Sequence, residues 1–240
     1  MTVLELRRVS RQFGQGPAEI SALSEVSLAV EAGELVAVMG PSGSGKSTLL
    51  TIAGTLEIPS AGEVFIDGTA VASLSPDKRA ALRRHRIGYV FQDFNLLSGL
   101  TAVENVALPL ELDGQPRAKA RTAAVRVLEQ LGLAELADRF PDEMSGGERQ
   151  RAAIARAVVG ERGLLLADEP TGALDSVNGD AVMRLLGQAC RGGVAGVVVT
   201  HDARLAARAD RIIYLRDGRI VDESPAMPGP ESLLPSEPLR

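Results

Sequence analysis

The sequence predicts an α/β fold with a mostly parallel core sheet, an antiparallel β side lobe and a helical insert, and three patterns carry that expectation. Four short apolar runs, Leu35 to Met39, Leu164 to Ala167, Val197 to Thr200 and Ile212 to Leu215, have the unbroken hydrophobicity of strands covered on both faces. The first 30 residues and the stretch Gly62 to Gly68 instead alternate apolar and polar positions, as half-buried antiparallel strands do. Between about residues 95 and 143 the period becomes helical, with Val125, Leu128 and Leu131 at three-residue steps and charges on the opposite face.

A chain of 240 residues can bury one substantial core or two small lobes without staples. Its single cysteine, Cys190, cannot form an internal disulfide, and no positive stub leads into an apolar segment with a cleavage site, so a cytoplasmic setting is expected. The longest apolar stretches fall far short of the roughly 20 residues that cross a bilayer. Twenty-six basic and 31 acidic residues leave a net charge of −5, and aromatic residues make up only 3% with no Trp. Neither a positive field nor a stacking platform is available, so no nucleic-acid partner is expected. Residues 224–240 hold five prolines and no periodic apolar pattern, which predicts an unstructured tail. No internal repeat is present, so any symmetric assembly needs a second chain.

Taken in order, the first chemistry-bearing residue is Phe13, which can stack on a planar base or anchor the β lobe. The first apolar strand then runs straight into Gly40-Pro41-Ser42-Gly43-Ser44-Gly45-Lys46-Ser47-Thr48, and apolar helical spacing follows at Leu49, Leu50 and Ile52. Letters and context both match the phosphate-binding P-loop. Its glycines allow successive backbone N–H groups to converge on phosphate oxygens at a helix N-terminus. Lys46 neutralises the β and γ phosphates, Ser47 offers a hydroxyl to Mg²⁺, and Thr48 is placed for the α phosphate.

The charge run Arg83-Arg84-His85-Arg86 reads as a solvated helix face. Further on, Leu164 to Ala167 ends in two adjacent carboxylates, Asp168 and Glu169, followed by Pro170. In P-loop enzymes the Asp at such a strand end holds Mg²⁺, and the next carboxylate can act as general base for water. His201 follows the apolar run Val197 to Thr200, where a parallel strand delivers side chains to the ligand edge of the sheet. It either touches a γ phosphate or caps the strand.

The segment Met144-Ser145-Gly146-Gly147-Glu148 precedes the helical run Ala152 to Val159. Ser145 and Glu148 fit a capping box. The same turn is also a second N-terminal anion site, with exposed N–H groups, a hydroxyl and the positive dipole end. One nucleotide does not need two cradles in one chain, so the second makes sense if it covers a nucleotide bound by another subunit.

Taken together these segments resemble the nucleotide-binding domain of an ABC transporter over about residues 2–223, with a helical subdomain at about 93–150. Residues 40–48 match the Walker A motif, Gln92 the Q-loop, Met144 to Glu148 the signature and Leu164 to Glu169 Walker B. Gly172-Ala173-Leu174-Asp175 matches the D-loop and Thr200-His201-Asp202 the H-loop. Met144, Glu148 and Phe13 stand where the family more often has Leu, Gln and Tyr; Glu148 adds charge near a phosphate. Within the family, residues 94–112 and 167–176 look most like the ATPases of lipoprotein-release, macrolide-efflux and antimicrobial-peptide-resistance systems.

The resemblance implies the P-loop NTPase core of an ABC ATPase, with ATP and Mg²⁺ as cofactors. Lys46, Glu169 and His201 would be catalytic, and Ser47, Gln92 and Asp168 would hold the metal. The nucleotide would lie against Phe13, residues 40–48, Gln92, Asp168 and the signature residues Ser145, Gly146, Gly147 and Glu148. It further implies a homodimer, or a pair with a similar ATPase, seated through an FtsX-like permease on the cytoplasmic face of a membrane. An ATPase driving a non-transport membrane complex, as in cell division, and a soluble P-loop kinase or GTPase are the alternatives.

Overall fold

The computed structural model describes residues 1–14, 20–172 and 176–225. The expected D-loop residues 173–175 and most of the expected tail, 226–240, lie outside the described residues.

Two sheets sandwich one helix. The antiparallel sheet has the order β2-β1-β4-β5, from β1 (Thr2–Phe13), β2 (Ile20–Glu31), β4 (Ala61–Ile66) and β5 (Thr69–Ala70). The second sheet has the order β10-β9-β3-β8-β7-β6 and contains β3 (Leu35–Met39), β6 (Ile87–Val90), β7 (Leu164–Asp168), β8 (Ala195–Val199), β9 (Arg211–Arg216) and β10 (Arg219–Pro225). Strands β9, β3, β8, β7 and β6 run parallel, and β10 closes the edge antiparallel to β9. The β9–β10 hairpin turns on Asp217 and Gly218, both at positive φ (48° and 73°), the requirement of a two-residue turn matched to strand twist.

Side-chain alternation sorts the parallel strands into two cores. Leu164, Leu166, Val197 and Val199 face the antiparallel sheet, and Leu49, Leu50 and Ile52 of α1 (Lys46–Ala53) fill the space between. Leu165, Ala167 and Val198 face the other way, against Ile154 and Ala157 of α5 (Gly146–Val158) and Val182, Met183 and Leu186 of α6 (Ser176–Arg191). Both faces of these strands are therefore apolar, as the unbroken runs required. Cys190 lies in this second core, where burial pushes its thiol up to about 12.

A third apolar cluster joins α3 (Ala102–Leu112), α4 (Arg117–Gln130) and the outer face of α5, through Val103, Val106, Leu128, Ala152 and Ala155. Helix α5 thus belongs to two cores at once. It also presses hard on β6: a Cβ on Gly88 would stand 2.0 Å from the carbonyl oxygen of Ala157. Replacing Gly88 with Ala is expected to destabilise the chain by about 3 kcal/mol, since neither backbone can yield cheaply. Urea unfolding measures this, and an unchanged midpoint would show that the contact is slack.

Several features differ from the sequence expectation. The basic run lies on α2 (Pro76–Arg86), which buries no residue, yet its arginines are tied to the body. Arg83 donates to the Thr55 carbonyl at 2.9 Å, Arg84 to Asp113 at 2.9 Å and Arg86 to Asp67 at 2.7 Å. His85 lies 3.3 Å from Asp113. Strand β10 also runs through Ser224 and Pro225, two residues into the expected tail, because Ser224 and Pro225 sit opposite Ile212 and Arg211 in the ladder. No helix among the described residues is long and apolar enough to cross a membrane.

Candidate nucleotide site

The carboxyl end of the parallel sheet opens into a cavity of about 670 Å³. Its floor is the loop between β3 and α1. Gly40 has φ 152°, and a Cβ there would lie 2.0 Å from the Leu215 carbonyl oxygen, so the loop can pass β9 only as glycine. Gly45 stands at the N-cap of α1 in the left-handed region (φ 101°), with Ala22 O 2.2 Å from where a Cβ would be. The Lys46 ammonium folds over the loop and donates to the Gly40 carbonyl at 2.9 Å and the Pro41 carbonyl at 2.8 Å.

The N-terminus of α1 receives no side-chain cap and has no acidic residue in its first turn. The opening N–H groups of a helix have no intrahelical partner, so here they, the dipole and Lys46 all call for an external anion. Ser44 belongs to the same loop but does not line the cavity, and its buried hydroxyl has no hydrogen-bond partner among the described residues. The loop therefore fits a polyphosphate. Gly40, Ser42, Gly43, Gly45, Lys46, Ser47 and Thr48 line the cavity, and the backbone of Pro41 holds Lys46.

Asp168, which ends β7, and Gln92, which follows β6, line the same cavity. Burial holds the Asp168 carboxyl above its ordinary pKa, and the neighbouring Glu169 adds to this; Ser47 and Lys46 pull the other way. A cation at this point would relieve a carboxylate that the fold has desolvated. Asp168, Ser47 and Gln92 line the same cavity and so fit a shared Mg²⁺.

Glu169 adopts φ 45°, uncommon for a residue with a side chain, and its N–H donates to the Val199 carbonyl at 3.0 Å. This local strain turns the carboxylate into the cavity, the setting in which strained backbone is retained. Its Oε2 lies 2.9 Å from Nδ1 of His201, and His201 itself is 74% exposed while Glu169 is 16% exposed. The histidine thus stands at the rim and the carboxylate inside it. Thr200 fixes the strand end, its N–H donating to the Val38 carbonyl and its hydroxyl accepting from the Asp202 N–H.

Two groups of expected residues lie elsewhere. Phe13 sits opposite Ile20 at the end of the β1–β2 ladder, 38% exposed, with the Arg11 guanidinium 4.6 Å from its ring centre. Among the described residues Ile20, Ser21 and Ala22 line the cavity edge in its place. No sequence signal marks these three, because their approach is made by the β lobe folding over the P-loop.

Ser145 to Glu148 do not line the cavity. They form a closed capping box on α5: the Ser145 N–H donates to Glu148 Oε2 at 2.7 Å, and the Glu148 N–H donates to Ser145 Oγ at 3.4 Å. The Ser145 backbone N–H, and after it the Ser145 hydroxyl, hold the Glu148 carboxyl below its ordinary pKa. Gly146 meets no atom within 4 Å of where a Cβ would be, and its φ lies outside the left-handed region. Nothing among the described residues asks for glycine there.

Residues 23–172 match the family model described as ABC transporter. The chain is 46% identical over 231 residues to the macrolide export ATP-binding/permease protein MacB of Sodalis glossinidius, covering 94% of this chain and 35% of that protein. It is 46% identical over 224 residues to MacB of Salmonella choleraesuis, covering 93% and 35%. The chain thus spans about a third of the length of these curated relatives. Among solved structures, a dimeric ATP-binding cassette in a post-hydrolysis state bound to ADP and Pi is 42% identical, with TM-score 0.87, covering 94% of this chain and 99% of that one.

Proposed function

This chain belongs to the ABC transporter family, and from that premise we propose that it binds and hydrolyses ATP between two head-to-tail copies and drives a membrane permease. The observation that carries the reading is the second anion cradle, which lies outside the chain's own cavity and contains a glycine, Gly146, that packing among the described residues does not require. A glycine in the first helical turn costs stability. The cost makes sense where another molecule must come close.

On this reading residues 2–223 are the ATPase domain and residues 93–150 its helical insert. Lys46 and the N–H groups of α1 hold the β and γ phosphates, and Thr48 lies beside the α phosphate. Mg²⁺ bound at Ser47, Gln92 and Asp168 would supply charge neutralisation at the β and γ oxygens. No group of three or more His, Cys, Asp or Glu among the described residues is placed to hold a metal, in keeping with the few protein ligands Mg²⁺ takes beside phosphates. Glu169 accepts a proton from water as its oxygen attacks the γ phosphorus, the bond to the β–γ bridging oxygen breaks, and ADP leaves with that electron pair. His201 orients Glu169 through the 2.9 Å contact and faces the γ phosphate from the rim. Phe13, opposite Ile20 in the β1–β2 ladder, lies outside the cavity lining and would meet only a base that extends past Ile20.

Ser145, Gly146, Gly147 and Glu148 of each copy would close over the nucleotide held by the other. ATP stabilises the closed pair because both copies touch its γ phosphate, and cleavage removes the shared ligand. The relatives named for macrolide export carry a permease in the same protein, and a similar FtsX-like partner, with the cassette on its cytoplasmic face, suits this chain. Its cargo would be a drug, peptide or lipoprotein.

The paired reading has a concentration signature. If only the pair turns over and pairing is weak, halving the chain concentration in the dilute range should lower the observed hydrolysis rate about fourfold, by mass action. A twofold fall would mean that one copy works alone, as a soluble kinase or GTPase does.

A further inference from the structure

Arg156 stands about three turns along α5 from Ser145, and its guanidinium reaches the loop that follows Gln92. One terminal nitrogen donates to the Phe94 carbonyl at 2.8 Å and the other to the Asn95 carbonyl. Both residues have left-handed backbone, with φ 61° and 48°. Such a conformation persists in residues with side chains only where the surroundings impose it. Arg149, seven positions earlier and so on the same face of the helix, places its guanidinium 5.7 Å from the Phe94 ring centre. Its Nε is buried with no hydrogen-bond partner among the described residues.

The loop is held a second time beyond Asn95. The buried Asn105 of α3 accepts the Leu97 N–H at 2.8 Å and donates to the Leu97 and Leu100 carbonyls, each at 3.0 Å. Only Asp93 separates Gln92 from the Arg156 clamp. Burial lowers the pKa of Arg156, and its charge is spent on two carbonyl dipoles, which interact strongly in such surroundings.

Gln92 lines the chain's own cavity, whereas Ser145 opens the helix that Arg156 rides on. We infer that Arg156 is a positioning residue that sets two things together: where Gln92 stands in one nucleotide site, and how the Ser145 to Gly147 turn is presented to the other. The inference rests on the paired-copy reading above. Arginine suits the task because its planar fork holds two acceptors in fixed geometry. Lysine, with a compact ammonium, can hold one carbonyl well and restores part of the effect.

The test uses the 240-residue chain carrying Glu169→Gln, which should accumulate as an ATP-bound pair. Pairing is followed by size-exclusion chromatography across an ATP titration with Mg²⁺, and ATP affinity of the monomer is measured separately without Mg²⁺. Adding Arg156→Ala should raise the ATP concentration for half-pairing about tenfold, within the usual range of coupling between sites. Monomer affinity should stay within about twofold, because Arg156 lies outside the cavity. Arg156→Lys should fall between the two. If both variants pair at the parent midpoint, or if monomer affinity falls in step with pairing, the inference is overturned and Arg156 is only a structural staple. Should Arg156→Ala not fold, the comparison of Arg156→Lys with the parent decides alone. A parent that never pairs would defeat the paired-copy reading itself, a distinct result, and the inference would fall with it.

Discussion

Glu169→Gln is expected to cut ATP turnover by about 10³-fold, the scale of a positioned general base, while leaving ATP binding intact. Glutamine keeps the shape of the side chain and can still accept a hydrogen bond from Nδ1 of His201, where Oε2 now lies at 2.9 Å. It cannot take a proton from water at neutral pH. The cradle of Lys46 and the α1 N-terminus lines the same cavity and loses no group. Removing a negative charge that faces the γ phosphate also favours retention of the triphosphate. The variant should therefore collect as a pair in ATP and Mg²⁺ that chromatography resolves, and return to single copies in ADP. Turnover within tenfold of the parent would remove Glu169 from the role of base. A variant that stays single at saturating ATP would count against the shared-ligand arrangement.

Ser145→Arg should be nearly as damaging by a different route. The side chain at this position faces no part of the chain's own cavity, so nucleotide binding by the single copy should match the parent. In the pair, a long guanidinium would occupy the space where the turn meets the other copy's γ phosphate, and closure would fail. Hydrolysis should drop by about 10²-fold or more, since the transition state loses a whole set of preorganised donors. Part of any change comes from the lost cap, worth about 1 kcal/mol to α5. A melting curve and a Ser145→Ala control separate that contribution. Persistent turnover in a folded Ser145→Arg chain would mean that the signature turn has been misassigned.

Much of this architecture could be read from residues alone, and the reasons are physical. Strands β3, β7, β8 and β9 are covered on both faces, so their sequences are unbroken apolar runs with few rival interpretations. Strand β6 escaped notice because it is only four residues long and carries Gly88, which is there to let α5 pass. Edge strand β10 mixes Arg219, Asp222 and Glu223 with its apolar positions, as an exposed border does. The P-loop and the carboxylates at the end of β7 were legible because phosphate and metal chemistry demand particular letters in a row. Ile20, Ser21 and Ala22 had no such signature, nor had Arg156. Their positions depend on which distant segments the fold brings alongside, and no local pattern encodes that.

The two helix starts that the paired reading assigns to nucleotide are finished to different degrees. At α5 the Ser145 and Glu148 side chains already answer the backbone, so the turn keeps its shape in isolation. At α1 no side chain among the described residues does so. The first is a ready-made die and the second a mould that needs filling. On that reading nucleotide-free copies have little reason to meet, and docking would follow loading: the triphosphate fills the open end before the finished one has anything to close upon.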